Sequence, residues 1–402
     1  MSNNVDVSDL STASEPTLLK TLAQARLNRS EIAGSLGDLG TFLPLLLGMA
    51  VQNGLNFATG LFFAGLFNVL TGLIFAIPMA VQPMKAIAAV ALTEGLTVPE
   101  IVAAGASVSL AVLALGLAGL IDRINRVVPR CVIRGVQLWM GLTLLMKGVE
   151  WIIEPGSGWT WNGGLTALVA AGLVLGLSGS KRWPPAILVV GLGFVVALLD
   201  RPEAVATLGV GLTLPTWSPP SWADFVSAFP KATLPQLPLT LLNSVIAVCA
   251  LSVDLYPDRP ASPRRVAVSV GLMNLVGVWF AAMPMCHGAG GLAAQHRFGA
   301  RTNGAILFLG TVKLILAVVF GASLIELCQA YPKSVLGVLI GFGGLELALT
   351  ARDQTRRADA FVMLAVVGVA LALKSVAIGF VVGMVLAWGI RLGWFSVEDT
   401  PR

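Results

Sequence analysis

The chain has 402 residues, of which 56% are hydrophobic and only 12% are charged. A soluble domain carries about 25% charged residues, so this composition excludes a soluble globular fold and indicates a protein of the lipid bilayer. The net charge of +5 reflects basic residues in short loops, which is a signal of membrane topology and not of nucleic-acid binding.

Residues 1–29 are polar and contain no basic region followed by an apolar run. They are not a signal peptide, and we expect a cytoplasmic N-terminal tail. Apolar runs then follow one another, and a helix needs about 20 apolar residues to span a bilayer. We therefore predict an all-α polytopic membrane protein with about fourteen transmembrane segments. The segments are Glu31–Ala50, Phe57–Ile77, Pro83–Glu94, Pro99–Ile121, Cys131–Val149, Asn162–Ser178, Pro184–Leu199, Leu237–Leu255, Val266–Met283, Gly288–Arg297, Asn303–Leu327, Lys333–Thr350, Ala358–Leu373 and Ser375–Leu392.

The third and tenth segments are too short to span the membrane as helices. This is typical of discontinuous elements, each made of an extended strand and a half-helix. The longest connection, residues 201–235, is rich in proline and carries Trp217 and Trp222, which predicts an external linker with tryptophans at the headgroup level. The predicted units are an N-terminal tail, a first repeat, this linker, a second repeat and a short cytoplasmic tail: 1–29, 30–200, 201–235, 236–392 and 393–402.

The placement of lysine and arginine predicts the orientation. With the N-terminus inside, the basic clusters fall on the inner side at every loop and both termini are cytoplasmic. These inner clusters lie at 123–130, 181–182, 259–265, 297–301 and 352–357.

The two halves of the chain resemble each other at an offset of 206 residues. Identical pairs include Asn68 with Asn274 and Pro78 with Pro284. Seven segments per half is an odd number, so the halves must insert in opposite senses. We therefore predict a 7+7 inverted repeat, which is typical of secondary transporters.

The two interruptions, at residues 77–85 and 283–291, are predicted to place two half-helix N-termini near the membrane midplane, facing each other. A helix N-terminus exposes free N–H groups and about half a positive charge, so two facing ends predict an anion site. The candidate ligands are Thr41, Gln82, Met84, Lys85, Asn243, Ser244, His287, Gly288, Ala289, Gly290 and Gly291.

Lys85 lies at a depth where a charge costs roughly 3 kcal/mol, so it needs a partner. That partner is either a bound anion or Asp38, and a purely structural Asp38–Lys85 pair is the alternative. Asp38, His287 and Glu346 are candidate proton carriers, although His287 also suits a donor to substrate and Glu346 suits a structural acceptor. The four cysteines form no CxxC pair, which favours buried thiols, and we predict no metal and no cofactor.

These motifs resemble those of the molybdate transporter family, known from plants, algae and bacteria. The matching stretches are Gly37–Thr41, 77–89 and 286–301, within a resemblance that runs from Ser30 to about Leu392. The resemblance implies a distant relation to sulfate permeases and nucleobase transporters. It also implies a core domain that holds both broken elements, and a gate domain from segments five to seven and twelve to fourteen.

The resemblance implies molybdate import by an elevator-like movement. Because the membrane potential opposes dianion entry, uptake needs either proton coupling, which we expect, or a steep gradient. A transporter of sulfate or another tetrahedral oxyanion is the alternative, and tungstate is a further candidate substrate. Only residues 393–402 follow the last segment, which favours the molybdate branch over sulfate permeases with a soluble domain there. A channel or a membrane-embedded enzyme fits less well, since no catalytic constellation is evident. We expect an integral protein of a bacterial inner (plasma) membrane, in contact with lipids, with a homodimer through the gate domain.

Overall fold

The computed structural model describes residues 18–121, 128–153, 163–179, 185–202, 209–212 and 214–397. The basic loops at 122–127 and 180–184, residues 1–17 of the predicted tail, linker residues 203–208 and 213, and residues 398–402 lie outside these ranges. The helices are α1 (Leu18–Gln24), α2 (Arg29–Asn53), α3 (Phe57–Phe75), α4 (Lys85–Glu94), α5 (Val98–Leu117), α6 (Arg130–Ile152), α7 (Gly164–Leu177), α8 (Pro185–Asp200), α9 (Trp222–Leu255), α10 (Pro263–Gly277), α11 (Ala289–Arg297), α12 (Gly304–Gln329), α13 (Lys333–Leu349), α14 (Arg357–Ala372) and α15 (Val376–Arg391).

The molecule is an integral membrane protein made mostly of helices. Within the described ranges, six helices are long and apolar enough to cross a membrane: α2, α3, α5, α9, the Gly304–Gly321 part of α12, and α13 with its extension to Asp353. Shorter apolar helices include α7, α8 and α15. The predicted segments coincide with these helices and with α4, α6, α10, α11 and α14 to within a few residues, except at the start of α9.

Helix α9 begins at Trp222, well before the predicted start at Leu237. The assignment of all of residues 201–235 to a linker was therefore wrong. A reciprocal pair of hydrogen bonds between Ser221 and Asp224 caps the helix start, and such a capping box stabilises a helix N-terminus. Of the prolines inside this helix, Pro230 lies in a wider π-helical turn at Phe229–Thr233, and Pro235 and Pro238 lie in the α-helical stretch Leu234–Leu239.

Both predicted breaks are present as short strands that pair with each other. Strand β1 (Val81–Pro83) pairs antiparallel with β2 (Met285–His287), and Gln82 lies opposite Cys286. The chain leaves the preceding helix through an alanine with left-handed backbone geometry in each half, at Ala76 (φ 56°) and Ala281 (φ 51°). Each strand leads into a half-helix, α4 or α11. The two strands begin 204 positions apart (285 − 81), so the repeat offset of 206 does not extend through the breaks.

The longest helices pack in close pairs through glycines. A Cβ atom on Gly65 of α3 would lie 2.7 Å from the carbonyl oxygen of Gly310 on α12. A Cβ atom on Gly141 of α6 would lie 2.5 Å from the carbonyl oxygen of Gly344 on α13. Such approaches are possible only without side chains, and van der Waals packing of this kind drives helix association in membranes.

Candidate functional site

A cavity of about 220 Å³ lies beside the paired strands. The strands and the first turns of α4 and α11 form one wall, and residues of α6, α9 and α13 form the others. The half-helices begin at this cavity, with Lys85 and Ala289 as their first residues. The structure thus brings both half-helix N-termini to one cavity, as the sequence analysis predicted.

Seven of the predicted ligands line this cavity. They are Gln82, Lys85, Asn243, Ser244, Gly288, Ala289 and Gly290. Ser244 donates a hydrogen bond to the thiol of Cys286, with an Oγ to Sγ distance of 3.0 Å. Because these residues come from β1, β2, α9 and the half-helices, the site forms only when distant parts of the chain meet.

Gln82 is the most distinctive of these side chains. It is 1% exposed, and neither its amide nitrogen nor its amide oxygen has a hydrogen-bond partner among the described residues. The amide lies against α11: a Cβ atom on Gly288 would collide with Gln82 Oε1, and one on Gly291 would lie 2.6 Å from Nε2. An unsatisfied buried polar group costs about 1–3 kcal/mol. Among the buried side-chain amides that lack a partner in the described residues, Gln82 is the one that lines the cavity.

The N-terminus of α11 is open to the cavity. Its N-cap is Gly288, which supplies no side-chain hydrogen bond. The N–H groups of Ala289, Gly290 and Gly291 have no acceptor within the helix, because the first bond back is from Leu292 to Gly288. The ammonium of Lys85 lies 3.9 Å from the position that a Cβ atom on Gly290 would occupy. Positive potential from the helix end and a full cationic charge therefore coincide.

The N-terminus of α4 differs from this arrangement. The backbone N–H of Met84 donates to the carbonyl of Pro284 at 2.9 Å, so the prediction that it is an anion donor was wrong. The N–H groups of Ala86 and Ile87 donate to Gln236 Oε1, at 2.8 and 3.3 Å. A glutamine from α9 therefore caps this helix. The partial positive charge of α4 still points at the cavity, but two of its donors are already used.

His287 lies away from the cavity, contrary to its predicted role as a substrate donor. It is fully buried, and its Nε2 and Nδ1 lie 3.0 Å from Ser269 Oγ and 3.2 Å from the carbonyl oxygen of Ala80. Both ring nitrogens are thus occupied by the protein. Successive residues of a strand point to opposite faces, and Cys286, its neighbour, is the residue that faces the cavity.

Three further predicted residues do not line the cavity. Glu346 is exposed on α13, Thr41 is half-buried on α2, and the space beside Gly291 is filled by Ala80 and Gln82. The structure does not bring these residues into the group formed by the other seven.

Of the two predicted partners of Lys85, a bound anion and Asp38, Asp38 forms its ion pair elsewhere. Asp38 pairs with Lys313 of α12, with 3.4 Å between Oδ2 and Nζ, and both side chains are almost completely buried. The Lys313 ammonium lies 3.7 Å from the centre of the Phe42 ring. Among the described residues Asp38 Oδ1 has no hydrogen-bond partner, and Gln82 lies nearby but outside hydrogen-bonding geometry. Lys85 is therefore left without a carboxylate and faces the cavity.

Sequence reasoning missed four polar residues of the cavity: Arg134, Gln137, Gln236 and Thr350. Arg134 and Gln137 lie three positions apart in an apolar segment, a spacing that places them on one helix face. That pattern could have identified them. Gln236 lies between the predicted linker (201–235) and the predicted start of the next segment at Leu237, so the sequence analysis did not place it in a helix.

Comparison with known proteins gives a consistent result. The family model described as "Molybdate transporter of MFS superfamily" matches residues 30–144 and 228–347. Molybdate transporter 2 of Arabidopsis thaliana is 40% identical over 90% of this chain and 87% of its own length. Molybdate transporter 1 of the same plant is 39% identical (95% and 93%), and Molybdate transporter 1 of Chlamydomonas reinhardtii is 38% identical (90% and 91%).

Solved anion transporters share the fold. The transmembrane domain of the cyanobacterial bicarbonate transporter BicA aligns with a TM-score of 0.64 at 14% identity, covering 89% of this chain and 97% of that chain. Murine Slc26a9 in the inward-facing state aligns with a TM-score of 0.69 at 16% identity, covering 99% and 74%. The family model covers more than half of the chain, and the curated relatives match about nine-tenths of it. On this evidence the chain belongs to the molybdate transporter family.

Proposed function

We propose that this protein imports molybdate across its membrane as a secondary active transporter, and that the cavity beside β1 and β2 is the substrate site. The observation that carries the proposal is the buried, unpaired amide of Gln82, which faces the same cavity as Lys85 and the open end of α11. The names of the curated relatives, all molybdate transporters, support molybdate as the substrate.

The chemistry of the cavity suits a tetrahedral dianion. Molybdate offers only acceptor oxygens, so its site must offer donors. The N–H groups at the start of α11, the Gln82 amide nitrogen and the Lys85 ammonium meet this demand. Two helix ends supply about one unit of positive charge together, and Lys85 adds another. Their sum matches the charge of the dianion.

The packing of the helices supports an inverted repeat of seven segments per half. Exchanging the halves maps α3 onto α10, α5 onto α12, and β1 onto β2. Helix α3 packs on α12, and α5 packs on α10, so this exchange reproduces the same pair of contacts. Helices α6 and α13 pack on each other and are exchanged together. A pseudo-two-fold axis through the β1–β2 pair accounts for all of these contacts.

Substrate translocation would then occur by movement of a core against a gate. The core holds β1, β2 and the half-helices, with α2, α3, α5, α9, α10 and α12. The gate holds α6 to α8 and α13 to α15. The cavity has walls from both groups, so relative sliding would carry the anion across while it stays bound to the core. Both termini are cytoplasmic in this scheme, which follows from the basic loops.

Proton coupling is assigned to Asp38. An inside-negative potential opposes entry of the dianion by about 2.3 kcal/mol per charge per 100 mV, so import needs a driving ion. Of the three predicted proton carriers, Glu346 is exposed and His287 has both nitrogens occupied. Asp38 is buried with one oxygen unpaired, and it lies close to the ligand-facing Gln82.

Calorimetry on the purified protein, with molybdate as titrant and sulfate and tungstate as competitors, tests the substrate. We expect tight molybdate binding that sulfate displaces weakly, and a loss of at least tenfold in affinity in Gln82→Ala. Gln295→Ala is the matched control, because Gln295 is a buried amide without a hydrogen-bond partner that does not line the cavity. Equal displacement by sulfate would make the protein a general oxyanion transporter. No binding of any oxyanion would refute the proposal.

Uptake into proteoliposomes tests the coupling. Molybdate entry should acidify the lumen when a molybdate gradient drives it. Uptake without proton movement would remove Asp38 from its assigned role while leaving the substrate assignment in place.

A further inference from the structure

The cavity has a second cationic group that lies on the gate side. Arg134 of α6 lines the cavity together with Gln137, whereas Lys85 and Gln82 line it from the core. We propose that Arg134 and Gln137 are anion donors that complete the dianion site from the gate. In this proposal the carboxylate of Asp353 takes the place of the anion and pairs with Arg134 when the cavity is empty. The inference rests on the proposed function and adds a second set of ligands to it.

The guanidinium of Arg134 is only partly used by the protein. Its Nε lies 3.0 Å from each carboxylate oxygen of Asp353, and Nη2 lies 2.6 Å from Oδ2. Its Nη1 donates to Gln137 Oε1 at 2.8 Å. A guanidinium has five N–H donors in a planar fork, so two of them remain for a ligand in the cavity. Planar donors of this kind suit oxyanions better than an ammonium does.

The orientation of Gln137 is fixed so that it offers a donor. Its Oε1 accepts from Arg134 and, at 3.1 Å, from Thr350 Oγ1. The amide nitrogen, which can only donate, is the group left for the cavity. Gln236 of α9 is oriented in a similar way: its Oε1 accepts from the backbone of α4, and its Nε2 donates to Thr240 Oγ1 at 2.9 Å. The side-chain oxygens of Gln137 and Gln236 are thus both used by the protein.

The charges explain why Asp353 is needed. Without an anion, Lys85 and Arg134 would place two cations around one cavity. Asp353 offsets one of them, and its side chain is 47% exposed, against 27% for Arg134. The fork-shaped geometry makes this pair stronger than an ordinary exposed ion pair, so Asp353 competes with an entering dianion for the guanidinium of Arg134. The pair therefore lowers the affinity of the site without blocking it.

Both residues of the Arg134–Asp353 ion pair lie in the proposed gate. Arg134 is on α6 and Asp353 directly follows α13, and these two helices pack closely through Gly141 and Gly344. Lys85 lies on the other side of the proposed sliding interface. The anion would touch Arg134 in the conformation described here and lose it when the core moves, so Arg134 distinguishes one side of the membrane from the other.

Calorimetry with molybdate on the full-length protein tests the inference through two opposite substitutions. Arg134→Gln should weaken binding about tenfold or more, because it removes the free guanidinium donors. Asp353→Asn should tighten binding severalfold, because Arg134 is released to the anion. Arg356→Gln is the matched control. Arg356 lies three positions after Asp353 and its side chain is 82% exposed, so its loss should leave molybdate binding unchanged.

Unchanged binding in Arg134→Gln would overturn the inference. Weaker binding in Asp353→Asn would overturn it too, because the ion pair would then only support the fold. Thermal unfolding without anion identifies a variant that fails to fold, and in that event the Asp353→Asn result decides. Failure of the proposed function looks different, since wild-type protein would then bind no molybdate.

Discussion

The buried Lys313 and the half-buried Lys85 lie in opposite circumstances, and the difference is measurable. Lys313 is paired with Asp38, and both side chains are at most 2% exposed. Lys85 makes no ion pair within the described residues and faces the cavity. We predict that Lys313→Met destabilises the fold, whereas Lys85→Met leaves the fold intact and abolishes oxyanion binding.

The magnitude follows from the surroundings of Lys313. Removing one partner of a buried ion pair leaves an uncompensated charge and costs about 3–5 kcal/mol. The ammonium also lies 3.7 Å from the centre of the Phe42 ring, a contact worth up to about 2 kcal/mol when desolvated. A total loss near the upper end of about 3–5 kcal/mol is therefore expected. The double variant Asp38→Asn with Lys313→Met should recover most of it, because no charge is then left unpaired.

Reversible unfolding in mixed micelles, followed by tryptophan fluorescence, gives the free energies for the four proteins of this double-mutant cycle. Lys85→Met serves as the matched control of the same substitution in the same membrane region. The reasoning is refuted if Lys313→Met is no less stable than Lys85→Met. It is also refuted if the double variant is as unstable as Lys313→Met alone, because the loss would then come from packing and not from the stranded carboxylate.

Three other substitutions separate binding from stability. Gly288→Ala should displace the Gln82 amide and weaken molybdate binding at least tenfold. The Cβ atom of Gly290→Ala would meet only Lys85 Nζ, at 3.9 Å, so this control should bind within about threefold of wild type. Equal losses in the two variants would show that the first turn of α11 tolerates no side chain at either position. Gln236→Ala removes the cap of α4 and should cost about 1–3 kcal/mol of stability in the same unfolding assay, and an unchanged stability would mean that water replaces the amide.

The sequence predicted the elements of the fold well and the pairings of side chains less well. Short apolar runs broken by proline and glycine located both half-helices, because such breaks are costly in lipid unless they line a site. The Asp38–Lys313 pair was missed because Lys313 is a lone cation within the apolar segment that forms α12. Its partner lies 275 positions away in the chain, and no local pattern connects them. The position of the His287 side chain was predicted wrongly because His287 lies in the three-residue strand β2. The face to which β2 turns each side chain depends on its register with β1.

The misreading of Gln236 has a similar cause. Prolines at positions 230, 235 and 238 indicate a loop in most sequences, but here Pro230 lies in a π-helical turn and Pro235 and Pro238 lie in the α-helical stretch after it. A helix that tolerates these prolines places a glutamine opposite α4, and only the tertiary structure shows the consequence. The residue types predicted donors around one cavity, but they could not show which of those donors the protein itself already uses.

The pairing of β1 with β2 has a consequence for biosynthesis. When the first half of the chain has entered the membrane, β1 has no partner and α4 has no cap, since Cys286 and Gln236 have yet to leave the ribosome. Unpaired backbone groups are not tolerated in lipid, so this region must stay sheltered by water or a membrane insertase until more than 200 further residues have been made. The cavity is then among the last parts of the molecule to form, because it needs residues from both halves of the chain.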